Sequence, residues 1–274
     1  IEPSSDSFTN ALTYPLSGLT VGSNFTGLTI GKSTNTANVT IGGATTIAGT
    51  ITVYGGDISI NAALSATDGA ASPTLSDINL HSSGVVTQAA AITAAGLGLH
   101  GSGAFNLTNT SNSITTLAGG DSTTKLGSLN FVNAGALSVG TVNPTGITAT
   151  GDVSISTVLG DLTVSENITT DSASTAAITL NAGKSEHAGT ATGGNIIVSG
   201  SPTLTTGANG RVTLYSGSVS SSTGLTDLVG SSSGRFRYNS DESATNYTSA
   251  LGSGLYAIYR EQPIANANNL TMTY

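Results

Sequence analysis

The sequence predicts an all-β fold, a parallel β-helix or β-solenoid, and three observations carry the prediction. Apolar residues fall at every second position in short runs such as VSIS (153–156) and LTV (162–164), which is the strand period and gives each run one buried face. The runs return at regular steps of 16 to 20 along much of the chain. The interior must also be narrow: there is no Trp, one Met, and only 5% of residues are aromatic. Stacked windings bring equivalent residues about 4.8 Å apart, a spacing that Ala, Ser, Thr, Val and Ile fill and bulky side chains do not.

The elements follow in chain order. GDISINA (56–62) and SDINLHS (76–82) align at Ile58 and Ile78, a step of 20, and LGLH (97–100) follows 19 later. In GDVSISTVLGDLTVSENITT (151–170) the phrase opens twice, at Gly151-Asp152 and Gly160-Asp161. Gly and Asp at these points suit corners, where φ > 0 or a side chain bonded to its own backbone is required. AITLNA (177–182), NIIVSG (195–200) and RVTLYSG (211–217) continue the series, and Leu162, Ile178, Ile196 and Val212 align with steps of 16, 18 and 16. At about 18 residues per winding, residues 1–233 would make roughly 13 windings and a rod on the order of 60 Å long.

A sandwich is the competing all-β architecture, and its hairpins would be marked by Asn-Gly or Asp-Gly turns. Those pairs are scarce (Asp68-Gly69 and Asn209-Gly210), whereas Gly-Asp or Gly-Asn opens strands at Gly56, Gly151, Gly160 and Gly194. Charged residues make up only 8% of the chain. Recurrent Ile, Val and Leu at strand spacing still supply apolar surface to bury, which argues against disorder.

The net charge of −8, with seven Lys and Arg in all, argues against nucleic acid and anionic membrane as partners. No window approaches the unbroken apolar run of a membrane span, so membrane insertion is not expected. Without cysteine there is no disulfide or thiolate chemistry. Residue 1 already lies in the repetitive texture and no signal peptide precedes it, so the segment reads as a mature or excised piece.

The C-terminal end differs. Phe236, Tyr238, Tyr247, Tyr256, Tyr259 and Tyr274 place six of the thirteen aromatics beyond Ser233, together with Arg235, Arg237 and Arg260. A solenoid ends on an unpaired strand edge and an open core, so a bulkier, more charged element is expected there. Residues 234–263 are read as that cap, with a surface hairpin as the alternative, and residues 264–274 as a linker or the start of a next module.

The run TVNPTGITATGDVSISTVLGDLTVSENITTDSASTAAITLNAGKS, with ATGGNIIVSG, GLTDLVG and FRYNSDESATNYTSALGSGLYAIYREQP, resembles the repeat region of large filamentous-haemagglutinin-like bacterial exoproteins. The terminal ANANNLTMTY is similar to the opening strand of the small MBG or YDG modules. The resemblance is most specific over 141–263. It implies a right-handed parallel β-helix in a secreted or surface-held bacterial adhesin and carries over no catalytic residue. The N-terminal secretion domain of such proteins is not evident here.

Several residue groups invite chemistry. Asp57, Asp152 and Asp161 all fall at the corner position of the repeat, where Asx-type turns explain them; on facing corners Asp152 and Asp161 could share a cation. The 15 carboxylates are otherwise dispersed, unlike the clustered acids of β-helical polysaccharide lyases and hydrolases, and no calcium-loop repeat is present. His81, His100 and His187 would need to converge with a carboxylate such as Glu186 to hold zinc. His81 and His100, separated in sequence by close to one predicted coil, could instead stack as a surface ladder. GSSSG (230–234) matches a nucleophile elbow in letters, but that motif requires a strand before it and a helix after it. GLGLHGSG (96–103) lacks the helix and Lys of a phosphate cradle. Seven N-x-[ST] sequons, at Asn24, Asn38, Asn106, Asn109, Asn167, Asn246 and Asn269, could accept glycans. TLTT (203–206) brings ice-binding β-helices to mind, although the Thr positions drift from winding to winding.

The expectation is a non-enzymatic, structural and adhesive segment of an extracellular exoprotein, a stiff stalk without cofactor, metal or catalytic residues. Its partners would be host, cell-surface or matrix glycans or proteins and the neighbouring modules of a longer chain. The alternatives are a carbohydrate-active β-helix with a shallow acidic groove and a self-assembling extracellular sheath or matrix protein.

Overall fold

The computed structural model describes residues 1–19, 25–70 and 73–263. The strands form two long sheets of 11 and 13 strands. Neighbouring strands run parallel, from Leu12–Tyr14 beside Val39–Ile41 to Arg211–Ser216 beside Gly254–Tyr259. Among the described residues antiparallel pairing is confined to isolated bridges, Thr67 to Leu75 and Thr141 to Thr145. The chain is a parallel β-solenoid, and among the described residues no hairpin-linked layers occur.

The winding is uneven, as predicted between Ile78 and Leu97 but longer over most of the chain. Leu162 lies across from Ile196, and Ile178 from Val212, so that each pairing spans two of the predicted steps. Ile58 pairs with Val39 and Val86, whereas Ile78 belongs to the other sheet and pairs with Ile51 and Leu97. Ile58 and Ile78, and Leu162, Ile178, Ile196 and Val212 in turn, therefore fall on alternate sheets, whereas Ile78 and Leu97, aligned at 19, are successive levels of one sheet as the spacing predicts. Both sheets carry the same inward alternation, so a one-dimensional period cannot tell them apart. Between Leu12–Tyr14 and Gly254–Tyr259 the 11-stranded sheet has ten levels instead of thirteen. At about 4.8 Å per level the stack is roughly 45 Å long.

One inward column of this sheet passes through Val39, Ile58, Val86, Phe105, Leu129, Val153, Ile178 and Val212, all buried. The facing sheet contributes Ile51, Ile78, Leu97, Leu117, Val139 and Val164 in the same manner. Each such side chain removes apolar surface worth about 1.5–3 kcal/mol from water. Its nearest partners sit one level above and below.

The corner that leads into the 11-stranded sheet is a column of glycines. Gly56, Gly84, Gly103, Gly127 and Gly151 each stand two positions before an inward side chain. The Gly84 amide donates to the Gly56 carbonyl at 2.9 Å, that of Gly127 to Gly103 at 2.8 Å, and that of Gly151 to Gly127 at 2.7 Å. Backbone passes so close to backbone here that a Cβ on Gly151 would lie 2.5 Å from the Gly127 oxygen.

At the opposite end of the same strands the corner is held by buried polar side chains. The Asn112 Oδ1 accepts the Ile92 amide and its Nδ2 donates to the carbonyls of Leu107 and Val132. One level on, Asn133 Oδ1 accepts the Ile114 amide, and its Nδ2 donates to the carbonyls of Ile114, Gly135 and Ala136. Thr157 follows, its hydroxyl donating to the Gly160 carbonyl and accepting from the Gly183 amide. Turn groups that water cannot reach are paired in this way, as burial requires.

The C-terminal end closes differently. In the helix Leu225–Val229 both end residues are buried, at the i, i+4 spacing that places them on one face. The Thr223 carbonyl just before it accepts the amide of Val198, on the edge strand Ile196–Val198. Next, the chain skips a level: Gly254–Tyr259 lies between Arg211–Ser216 and Phe236–Arg237, parallel to both. Neither strand forms the surface hairpin held as the alternative. Tyr259 stacks on Phe236 and Tyr238, and the Arg235 and Arg237 guanidiniums lie over Tyr256. Arg260 is fully buried, its Nη2 donating to the carbonyls of Thr192 and Gly194. The linker or module expected at 264–274 lies outside the described residues.

Candidate functional site

The parallel register places Tyr54 beside His81 and His81 beside His100 on the outer face of the 13-stranded sheet. Their rings stack as a ladder, with centroids 4.3 and 4.1 Å apart and planes inclined by 26° and 8°. The column stops at glycines. Gly31 follows the pair Ile30–Val53 at one end, and Gly120 follows Leu99–Gly119 at the other. The three rings border an open groove of about 460 Å³.

Two short loops complete the groove. At one end stand Ser33, Thr34, Asn35 and Thr36; at the other stand Asp121 and Thr124. Asn35 is buried and fully engaged: its Nδ2 donates to the carbonyls of Tyr54 and Ala37, and its Oδ1 accepts the Ser7 hydroxyl and the Phe8 amide. Asp121 Oδ1 accepts the amides of Thr123 and Thr124, both at 2.7 Å. Side chains thus hold both loops in place, and the groove is preformed.

Burial lowers His81 to about 4, with the neighbouring His100 adding to the effect. His100 is also lowered by burial, against the opposing pull of the Asn143 carbonyl and the Asp121 carboxylate. Asp121 itself is held below the usual carboxylate range by the amides of Thr124 and Thr123 and, last, by His100. Near neutral pH the ladder is therefore uncharged, and each imidazole offers one donor and one acceptor.

The sequence singles out His81 and His100 as a possible ladder or half of a zinc site, and the geometry makes them a ladder. A metal ion sits in the plane of each imidazole that ligates it, about 2.0–2.1 Å from the nitrogen. Planes inclined by 8° and stacked at 4.1 Å do not meet at such a point. His187 lies elsewhere, near Asp241, whose carboxyl burial would raise but the amides of Ala244, Ala188 and Ser243, with His187, hold low. Among the described residues no group of three or more His, Asp or Glu is placed to hold a metal.

The corner aspartates serve the stacking, though not through turns of their own. Asp57 Oδ1 accepts the Val85 amide one winding on, and Oδ2 accepts Asn38 Nδ2 one winding back. Asp152 Oδ1 accepts the hydroxyls of Ser172 and Ser174, and Asp161 Oδ1 accepts the Asn195 amide. Asp161 precedes a strand of the 13-stranded sheet, whereas Asp57 and Asp152 precede strands of the other. They occupy two different corners, contrary to the single corner position read from the sequence.

GSSSG follows a helix instead of a strand and forms an exposed turn closed by the Ser233 amide on the Gly230 carbonyl. GLGLHGSG runs along the strand Ile92–His100, and its Gly101 passes tightly over the Ser82 carbonyl. Asn24 and Asn269 lie outside the described residues. Asn38, Asn109, Asn167 and Asn246 are engaged in corner hydrogen bonds, while Asn106 stands exposed in mid-strand and accepts from Asn130. Thr148, Thr169 and Thr205 form one outward column, three levels long, but elsewhere the threonines drift as expected, Thr29 and Thr52 giving way to Asn79 and Gly98, and Thr163 to Ile197. Sequence reasoning misses Tyr54. Its signal is present in the register, since Tyr54, His81 and His100 each stand three positions beyond an inward Ile51, Ile78 or Leu97.

Compared with protein-family models, curated proteins and solved structures, the chain matches none of them.

Proposed function

We propose that this chain is a rod-like structural segment of a secreted or surface-attached bacterial exoprotein, acting in cell adhesion as a stiff stalk and as a lateral binding surface. The observation that carries the reading is the uninterrupted parallel stacking of ten levels on a single apolar core. A ladder whose hydrogen bonds run along the long axis resists bending and extension, which is what a spacer between modules requires. The resemblance of residues 141–263 to filamentous-haemagglutinin-like repeats supports the same reading. So does the use of Asp57, Asp152 and Asp161 as fasteners between windings. Partners on this reading are host, cell-surface or matrix glycans or proteins.

Beads coated with the chain test the adhesive role. Retention on epithelial monolayers or extracellular matrix well above albumin-coated beads is expected. Retention no greater than albumin, or release of reducing sugar from a polysaccharide that vanishes in Asp152→Asn or Asp161→Asn, defeats it.

A further inference from the structure

We infer that the groove along Tyr54, His81 and His100 is a binding site for a neutral oligosaccharide. The inference rests on the adhesive reading and gives it a site and a ligand class.

Stacking spends the ring faces on one another, so the ladder offers the groove its polar edges. The Tyr54 hydroxyl and the His81 imidazole each both donate and accept, and His100, its N–H directed to the Asn143 carbonyl, adds an acceptor. Ser33, Thr36, Ser83 and Thr124 add hydroxyls along the same groove. A sugar chain presents the complement, a file of hydroxyls that likewise donate and accept. Among the described residues the lining has no Lys or Arg, and Asp121 stands at one end, so uronate and sulfate groups meet no counter-charge and one repulsive carboxylate. Burial keeps both histidines neutral, so the imidazoles do not replace the missing cations. The loops at either end are pinned by Asn35 and Asp121, so little ordering is needed on binding.

The test follows the histidine ring resonances by NMR while cellohexaose, maltohexaose, chitohexaose or hexagalacturonate is added. His81 and His100 are expected to shift with at least one neutral hexasaccharide and not with hexagalacturonate. His187, outside the groove, stays still as an internal control. The variant Tyr54→Phe/His81→Phe/His100→Phe preserves three stacked rings and removes their polar edges. It is expected to keep the wild-type melting temperature and to bind about a hundredfold more weakly, the loss of two or three net hydrogen bonds. If no neutral hexasaccharide moves His81 or His100, if hexagalacturonate moves them equally, or if the triple variant binds as wild type, the site assignment is wrong. Bead adhesion that persists in the folded triple variant, or on glycosidase-treated cells, overturns the groove while leaving the adhesive role intact. Loss of bead adhesion in the wild type is the separate failure of that role.

Discussion

The amide of Gly151 donates to the carbonyl of Gly127 one winding earlier, at 2.7 Å, and a Cβ on Gly151 would lie 2.5 Å from that same oxygen. Real Cβ atoms do not approach backbone oxygen so closely, so Gly151→Ala must push two windings apart. A loss of about 1–3 kcal/mol is expected, read as a lowered midpoint in chemical denaturation. Gly135→Ala is the matched control, because nothing among the described residues lies within 4 Å of its added Cβ and its φ is not positive. That variant should be neutral or more stable by about 0.4–1 kcal/mol. Equal behaviour of the two would mean that the glycine column is not a steric requirement.

Asn133 makes a different corner. It is 1% exposed and satisfies the amide of Ile114 and three carbonyls with one side chain. Asn133→Ala strands those groups away from water, at about 1–3 kcal/mol for each that stays unpaired. Asn130→Ala, on the exposed face of the same strand, should change stability by no more than about 0.5 kcal/mol. Thermal melts of the pair decide it; a small effect at Asn133 would show that water reaches this corner.

The ring ladder makes stability depend on pH in a stated direction. His81 is lowered in the folded chain from 6.5 to about 4, by burial first and by His100 second. The unfolded chain therefore binds more protons between those values, and stability rises with pH across them. The contribution is fully present above about pH 6.5 and is lost as pH falls through about 4. Partial exposure of the ring screens it to the order of 1–3 kcal/mol. His81→Phe keeps the stack and should flatten the profile over that window. An unchanged slope would place the acid sensitivity in other groups.

The class of fold is legible in the sequence because strand alternation and small side chains both follow directly from narrow stacked windings. The length of a winding is not. Ile178 and Ile196 look like successive copies of one position, yet they face the core from different sheets, and only pairing with Val212 and Leu162 separates them. A truer phase lies in Gly56, Gly84, Gly103, Gly127 and Gly151, each two positions before an inward side chain, at uneven intervals that hide the repeat. The buried Asn112 and Asn133 carry no such signal, since their role depends on the turn that encloses them. Of the groove, the histidine stack is legible because His81 and His100 are separated by close to one predicted coil. Tyr54 is not, because the winding between it and its partner His81 is lengthened well beyond that interval.

Nearest-neighbour stacking has a consequence for how mutations combine. Ile155 packs in one column between Phe131 and Leu180, while Ile58 lies four levels away from it along the same sheet. Each of Ile155→Ala, Leu180→Ala and Ile58→Ala removes a fully buried side chain and should cost about 2–5 kcal/mol. In a stack stabilised level by level, Ile155→Ala with Ile58→Ala should be additive to within about 0.5 kcal/mol. Ile155→Ala with Leu180→Ala shares one cavity, so the combined loss should depart from the sum by about 0.5–3 kcal/mol. Denaturant titrations of the three single and two double variants measure both couplings. Strong coupling between Ile58 and Ile155 would mean that the rod senses damage along its whole length, and that its stiffness is a property of the entire core instead of adjacent windings.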